Sequence, residues 1–289
     1  MDKKARKLYR VIPLMDGVYG ISSSAVMCYL LVGKTGAMLI DTAYGFEDLS
    51  EVVKEITTLP VTVVNSHGHV DHSGGNFFFG TPVYIHKADV EVYRRHNQPA
   101  MHRLMERTLS IFELLIFWRT IVPKDPERND EQRASFDNWL YLKEGDVFDL
   151  GGLTAKVIEI PGHTQGSVAM YFPEKKLMVT SDGANPATWL FLPESAKLSV
   201  YLESLKKLKA YSFDHILTGH SSILLPKAVL DAWIHVAETP DLAGGKKRKE
   251  EAFAPGVHPI TCWASDDPKH KGPNIVLDPL KADVRSQAS

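Results

Sequence analysis

Between Asn65 and Asn76 the chain reads Asn-Ser-His-Gly-His-Val-Asp-His-Ser-Gly-Gly-Asn, which places His67, His69, Asp71 and His72 within six residues, with glycines inside and just after them. Such a stretch makes a poor core, because buried imidazoles and carboxylates need partners, and it is an odd composition for a simple turn. Upstream, Pro60 restarts an apolar run through Val64 that reads as a buried strand. A strand that fixes the base of a polar, glycine-flanked loop is where α/β proteins place chemistry. In an extended loop His67 and His69 sit at alternate positions and point the same way, leaving the adjacent Asp71 and His72 to face a second ion. Imidazole nitrogens with carboxylate oxygens and no cysteine suit divalent cations: zinc first, with iron and manganese as alternatives.

Other apolar runs end in the same way. Val26–Val32 and Ala37–Ile40 are strands joined through Gly33-Lys34-Thr35-Gly36, the second ending at Asp41. Phe46–Thr57 carries Leu49, Val52, Val53 and Ile56 at helical spacing. Strands are expected at Val83–Ile85, Trp139–Leu142, Val147–Leu150 and Thr154–Ile160, the last leading into Pro161-Gly162-His163-Thr164-Gln165-Gly166. Two short strands follow, Val168–Phe172 and Leu177–Thr180, the latter ending at Ser181-Asp182-Gly183. After a helix at Leu198–Lys209, His215–Leu217 ends at Thr218-Gly219-His220. Four strand ends thus deliver candidate ligands: the 67–72 cluster, His163, Asp182 and His220. The remaining histidines, among them His96, read as surface or satisfied residues.

Residues 88–138 read as a helical insertion, helical from Ala88 to about Thr120 and ended by Pro123-Lys124-Asp125-Pro126. Nearly every position from 111 to 118 is apolar, too much for a free helix. The segment is either a lid over the site or a homodimer contact through residues 104–122. Asn185, Trp189 and Phe191 in the loop after Asp182, and Ser221 and Ser222 in the loop after His220, are pocket candidates by position. The expected organisation is one domain over residues 1–240 with an extension, 241–289, packed on it.

A net charge of -2 disfavours a polyanion partner, so no nucleic acid is expected. The one dense basic run, Lys246-Lys247-Arg248-Lys249, reads as a solvated loop, with a phosphate-binding patch as the alternative. Cys28 and Cys262 form no CxxC pair and read as buried thiols. No apolar stretch is long enough to cross a bilayer and the charged N-terminus leads into no signal-like segment, so a cytoplasmic location is expected.

His67-Gly68-His69-Val70-Asp71-His72 resembles the HxHxDH signature of the metallo-β-lactamase superfamily. Gly162-His163-Thr164, an aspartate after an apolar strand, and Gly219-His220 follow in the matching order. The resemblance covers about residues 15–225 and implies an αββα sandwich, two mixed β-sheets flanked by helices. It further implies two divalent metal ions: His67, His69 and His163 on the first, Asp71, His72 and His220 on the second, and Asp182 bridging both. Asp41 resembles the superfamily aspartate that orients a ligand histidine, the alternative being a plain turn cap. A hydroxide bridging the ions would attack a small ester, thioester, lactone or lactam, with Asp71 passing a proton to the leaving group. A phosphodiesterase or nuclease of the same fold, and a mono-iron persulfide dioxygenase, are the competing activities. Ser181 stands where relatives such as glyoxalase II commonly have glycine, which is expected to alter backbone freedom more than ligation.

Overall fold

The computed structural model of the chain describes residues 9–23, 26–101, 103–104, 126–248, 254–267 and 269–283. They form two compact units, one comprising residues up to Leu142 with Asp146–Ala155 and Gly219–Ser222, the other holding the rest.

In the first unit seven strands lie side by side in chain order: β1 (Tyr9–Met15), β2 (Val18–Ser23), β3 (Val26–Val32), β4 (Ala37–Ile40), β5 (Val61–Val64), β6 (Val83–His86) and β7 (Trp139–Leu142). β1 to β4 run antiparallel and β4 to β7 parallel, so the sheet is mixed. The parallel pair β4 and β5 needs a crossover, which α1 (Leu49–Ile56) supplies. Asp48 caps α1 by accepting the Ser50 N–H, while Leu49 and Val53 are buried. Two further helices, α2 (Val70–Ser73) and α3 (Val90–His96), flank β6 in sequence. A fourth, α4 (Pro126–Ser135), opens on a proline whose missing N–H costs nothing at that position. The short strand β8 (Val147–Asp149) completes the unit.

The second unit contains most of β9 (Thr154–Glu159), then β10 (Val168–Phe172), β11 (Leu177–Ser181), β12 (Ala187–Leu190), α5 (Leu198–Lys209), β13 (His215–Thr218), most of β14 (Ser221–Pro226) and α6 (Val229–Glu238). It ends with β15 (Lys246–Lys247), β16 (Ile260–Cys262) and β17 (Asn274–Leu277). β9, β10 and β11 pair antiparallel, whereas β11 and β13 pair parallel, giving a second mixed sheet. A further sheet has the order β12-β17-β16-β15. Its Ile275 and Leu277 join Leu198, Leu205, Leu230 and Trp233 of the two helices in one core. The fold class expected from the sequence, α/β with mixed sheets and flanking helices, is the one found.

Three local expectations are corrected. The 67–72 stretch is not extended throughout: the backbone turns helical at Val70, with Ser73 N–H and Gly74 N–H bonded to the His69 and Val70 carbonyls. Helix from Ala88 to Thr120 is not continuous, because α3 ends at Asn97, whose side-chain amide folds back onto the Tyr93 carbonyl two residues before Pro99. Within the stretch after Asp182 read as loop, Ala187–Leu190 is β12, held by parallel pairing with β17 from the far end of the chain. Of the apolar segment 104–122 all but Leu104 lies outside the described residues. Among the described residues no helix is long and apolar enough to cross a membrane.

Both cysteines are free and buried. Burial pushes the Cys262 thiol up to about 12 and the Cys28 thiol well above its ordinary value, with the Asp41 charge adding to the latter. Neither thiol should therefore react with a thiolate-specific reagent at pH 8 until denaturant is added. Rapid labelling of the native protein at either position would contradict this burial.

Candidate metal centre

Because Ile40 of β4 stands opposite Val64 of β5, the two parallel strands end side by side. Asp41 follows one strand and Asn65-Ser66-His67 the other, with the Asp41 N–H bonded to the Val64 carbonyl at 2.8 Å. This register puts a carboxylate under the histidine cluster. Asp41 is buried and adopts a left-handed φ of 67°, a strained state that its hydrogen bonds hold in place.

The Asp41 carboxylate accepts three donors: the Ser66 N–H and Ser66 hydroxyl, each at 2.8 Å, and His72 Nδ1–H at 2.8 Å. Since the Ser66 hydroxyl gives its proton to Asp41, its lone pair receives His67 Nδ1–H at 3.0 Å. Both imidazoles are thereby fixed in one tautomer, with a lone pair on Nε2. Asp41 orients His72 directly and His67 through Ser66. Ser66 is a positioning residue that the sequence reading missed, since a serine beside a histidine carries no distinguishing signal.

The bend at Val70 separates the donors. His67 lies in the bend after β5 and His69 in extended backbone, their ring centroids 4.7 Å apart, whereas Asp71 and His72 share one helical turn. Asp71 Oδ2 lies 3.5 Å from His72 Nε2 and 3.8 Å from His220 Nε2. One ligand atom from each of these three residues falls within 4.8 Å of the others. His220 reaches this point because β3 holds its turn: Met27 N–H bonds the Gly219 carbonyl at 2.8 Å and the Tyr29 hydroxyl bonds the Ser221 carbonyl at 2.8 Å. A carboxylate and two imidazoles at this spacing fit a divalent cation.

Backbone packing behind the cluster leaves no room for side chains. A Cβ on Gly74 would stand 2.4 Å from the Tyr44 carbonyl oxygen, and one on Gly75 would stand 2.4 Å from that of Thr42. Gly68 is similarly pressed against α3, with its N–H bonded to the buried Asp89 carboxylate at 2.8 Å. His96, read from the sequence as ordinary, is 4% exposed and stacks on His69 at 4.3 Å between ring centroids.

In the second unit His163 and Asp182 are brought together, His163 Nε2 lying 3.8 Å from Asp182 Oδ2. His163 Nδ1–H donates to the Trp189 carbonyl on β12 at 2.8 Å, which again leaves the lone pair on Nε2. The Ser195 hydroxyl holds the His163 carbonyl at 2.8 Å, and a Cβ on Gly162 would strike Tyr201 at 2.6 Å. Trp189 therefore bears on the site through its backbone. Ser181, one residue before Asp182, has a φ of 47°, so the serine occupies a conformation that favours glycine.

Asp41 yields a direct expectation. Removing a residue that orients metal-bound histidines typically costs 10–100-fold in metal affinity. Asp41→Ala should lower zinc affinity by roughly that factor while all seven candidate ligands remain. Competition with a chromophoric chelator measures it, and an unchanged affinity would reduce Asp41 to a turn cap.

Residues 23–220 match the family described as the metallo-beta-lactamase superfamily. The acyl-coenzyme A thioesterase MBLAC2 of Homo sapiens is 26% identical over 214 residues, 68% of this chain and 73% of that protein. Among solved structures, a metallo-beta-lactamase from Pontibacter korlensis superposes with a TM-score of 0.53 at 18% identity, covering 79% of this chain and 98% of its own. The sec-alkylsulfatase Pisa1 from Pseudomonas sp. gives 0.60 at 16% identity, covering 79% and 41%. These structures share the fold, an α/β sandwich of mixed sheets flanked by helices.

Proposed function

The chain belongs to the metallo-beta-lactamase superfamily, and from that premise we propose that it is a metal-dependent hydrolase of small thioesters. The observation that carries the metal requirement is the convergence of Asp71, His72 and His220, with His72 tied off at Nδ1 by Asp41. The thioester reading is supported by the relatives named acyl-coenzyme A thioesterases.

In this proposal His67, His69, His163, Asp71, His72, His220 and Asp182 hold two divalent cations, most favourably zinc. When bound, the cations would lower the pKa of a water toward about 7 and polarise the substrate carbonyl. The protein's part is orientation. Asp41 and Ser66 hold the His67 and His72 rings with Nε2 lone pairs directed away from their hydrogen-bonded edges. The Trp189 carbonyl does the same for His163. Asp71, whose side chain is 13% exposed, would carry a proton to the departing thiolate. No serine or cysteine nucleophile is required, in keeping with thiols that burial holds protonated. The cytoplasmic location belongs to the same proposal.

The test is turnover by zinc-loaded protein on a thioester, an acyl lactone, a β-lactam and a phosphodiester. The expected result is thioester hydrolysis that disappears on chelation and returns with metal. Hydrolysis of the phosphodiester alone, thioester hydrolysis indifferent to chelation, or oxygen consumption with a persulfide by an iron-loaded protein would overturn it.

A further inference from the structure

The last described residues of the 241–289 extension reach the backbone that carries His163. β17 leads directly into a short 3₁₀ turn, Pro279–Lys281, which Asp278 opens by accepting the Leu280 N–H at 3.0 Å. Lys281 and, just beyond it, Asp283 then bond residues 84 to 89 positions earlier in the chain, in the segment that joins β12 to α5.

Lys281 Nζ donates to the carbonyls of Leu192 and Ser195, the latter at 2.9 Å. Those two residues are the ends of one turn, closed by the Ser195 N–H on the Leu192 carbonyl at 2.9 Å. The Asp283 carboxylate accepts the Ser199 N–H at 2.9 Å and the Ser199 hydroxyl at 2.7 Å. Lys197 at the N-cap of α5 offers no side-chain acceptor, so Asp283 supplies the one that the first turn of the helix lacks locally.

The segment held in this way is the one that holds the His163 loop. Three consecutive carbonyls accept from it: Pro161 from the Ser204 hydroxyl at 2.7 Å, Gly162 from the Ala196 N–H at 2.8 Å and His163 from the Ser195 hydroxyl at 2.8 Å. The Trp189 carbonyl fixes the His163 ring, and these three bonds fix its backbone. Ser195 is the link, since its carbonyl takes Lys281 while its hydroxyl takes His163. Lys281 is half-buried. Burial pulls its pKa below the ordinary lysine value, against the opposing charges of Asp278 and Glu194, as befits an ammonium that has exchanged water for carbonyl partners.

We propose that Lys281 is a positioning residue for the metal centre: its ammonium clamps the 192–195 turn, and the turn holds the His163 backbone where Nε2 can take a cation. Asp283 steadies the same segment at the start of α5. The clamp rests on the two-cation reading above, in which His163 is a ligand.

Zinc release, followed by competition with a chromophoric chelator, tests it beside urea denaturation of the same proteins. The wild type should give up two zinc ions in two steps. Lys281→Met should weaken one step by about tenfold, the low end for a group that orients a ligand from outside. The other step and the urea midpoint should not move. Lys281→Arg, which also offers donors to two carbonyls, should stay close to the wild type. Leu280→Ser, at a 92% exposed position of the same turn, should match it. Unchanged zinc affinity in Lys281→Met, equal weakening of both steps, or weakening matched by a lower urea midpoint would overturn the clamp while leaving the metal centre standing. A Lys281→Arg protein as weak as Lys281→Met would assign the effect to the lysine stem and overturn it as well. A wild type that binds fewer than two zinc ions would overturn the two-cation reading and the clamp with it.

Discussion

Asp71→Ala should reduce thioester turnover of the zinc-loaded protein by about a thousandfold, equivalent to about 4 kcal/mol of transition-state stabilisation. Asp71 is the carboxylate between two imidazoles, 3.5 Å from His72 Nε2 and 3.8 Å from His220 Nε2. Its removal takes away both a negatively charged ligand and the proposed proton carrier. The side chain of Asp71 is 13% exposed and that of His220 is 42% exposed, so the same charge acts at lower effective dielectric at Asp71. His220→Ala should accordingly cost less. Metal content by elemental analysis separates two routes to the loss. Under the ligand role, Asp71→Ala should retain about one zinc fewer than the wild type. A variant with full metal and full turnover would remove Asp71 from the site.

Arg133→Met should destabilise the folded chain by about 3–5 kcal/mol, the range for breaking a buried ion pair by deleting one partner. Arg133 is fully buried on α4. Its guanidinium meets Asp130 Oδ1 at 2.9 Å, the Gly74 carbonyl at 3.1 Å and the Gly45 carbonyl at 3.2 Å. Gly74 is the residue that closes α2, the turn carrying Asp71 and His72. Deletion of the guanidinium removes the 2.9 Å partner of a 7% exposed carboxylate that Arg103 approaches to 3.9 Å, and takes a donor from the Gly74 and Gly45 carbonyls. Arg133→Lys should recover little, because an ammonium does not reproduce the planar fork that reaches three acceptors. Urea denaturation measures the change. A loss below about 1 kcal/mol would show that the carbonyls find other donors.

The insertion thereby acquires a role that neither sequence reading offered. Lid and dimer contact were both inferred from the apolar positions 111–118, which lie outside the described residues. Among its described residues, α4 is polar at nearly every position, and it sets a fully buried arginine under the backbone of the ligand turn. Nothing in Pro126–Ser135 distinguishes Arg133 from the other charged residues of a solvated helix. Its two carbonyl partners are 59 and 88 positions away in the chain.

Elements carried by local pattern were legible in the sequence. β3 and β10 are continuous apolar runs, α5 repeats its leucines at helical spacing, and His67 to His72 announce themselves by density. A buried strand and a ligand cluster are written in consecutive residues, so each leaves a signature that can be read without the fold. What the tertiary structure alone decided is which distant groups meet. The β4–β5 register delivers Asp41 beneath His72 across 31 residues, and Ser66 relays it to His67. β12 becomes a strand only because β17 pairs with it, and that pairing places the Trp189 carbonyl against His163. Hydrogen bonds between residues far apart in sequence impose no periodicity and no composition on either partner. They select a residue for its place in space, and that place exists only once the sheets have formed.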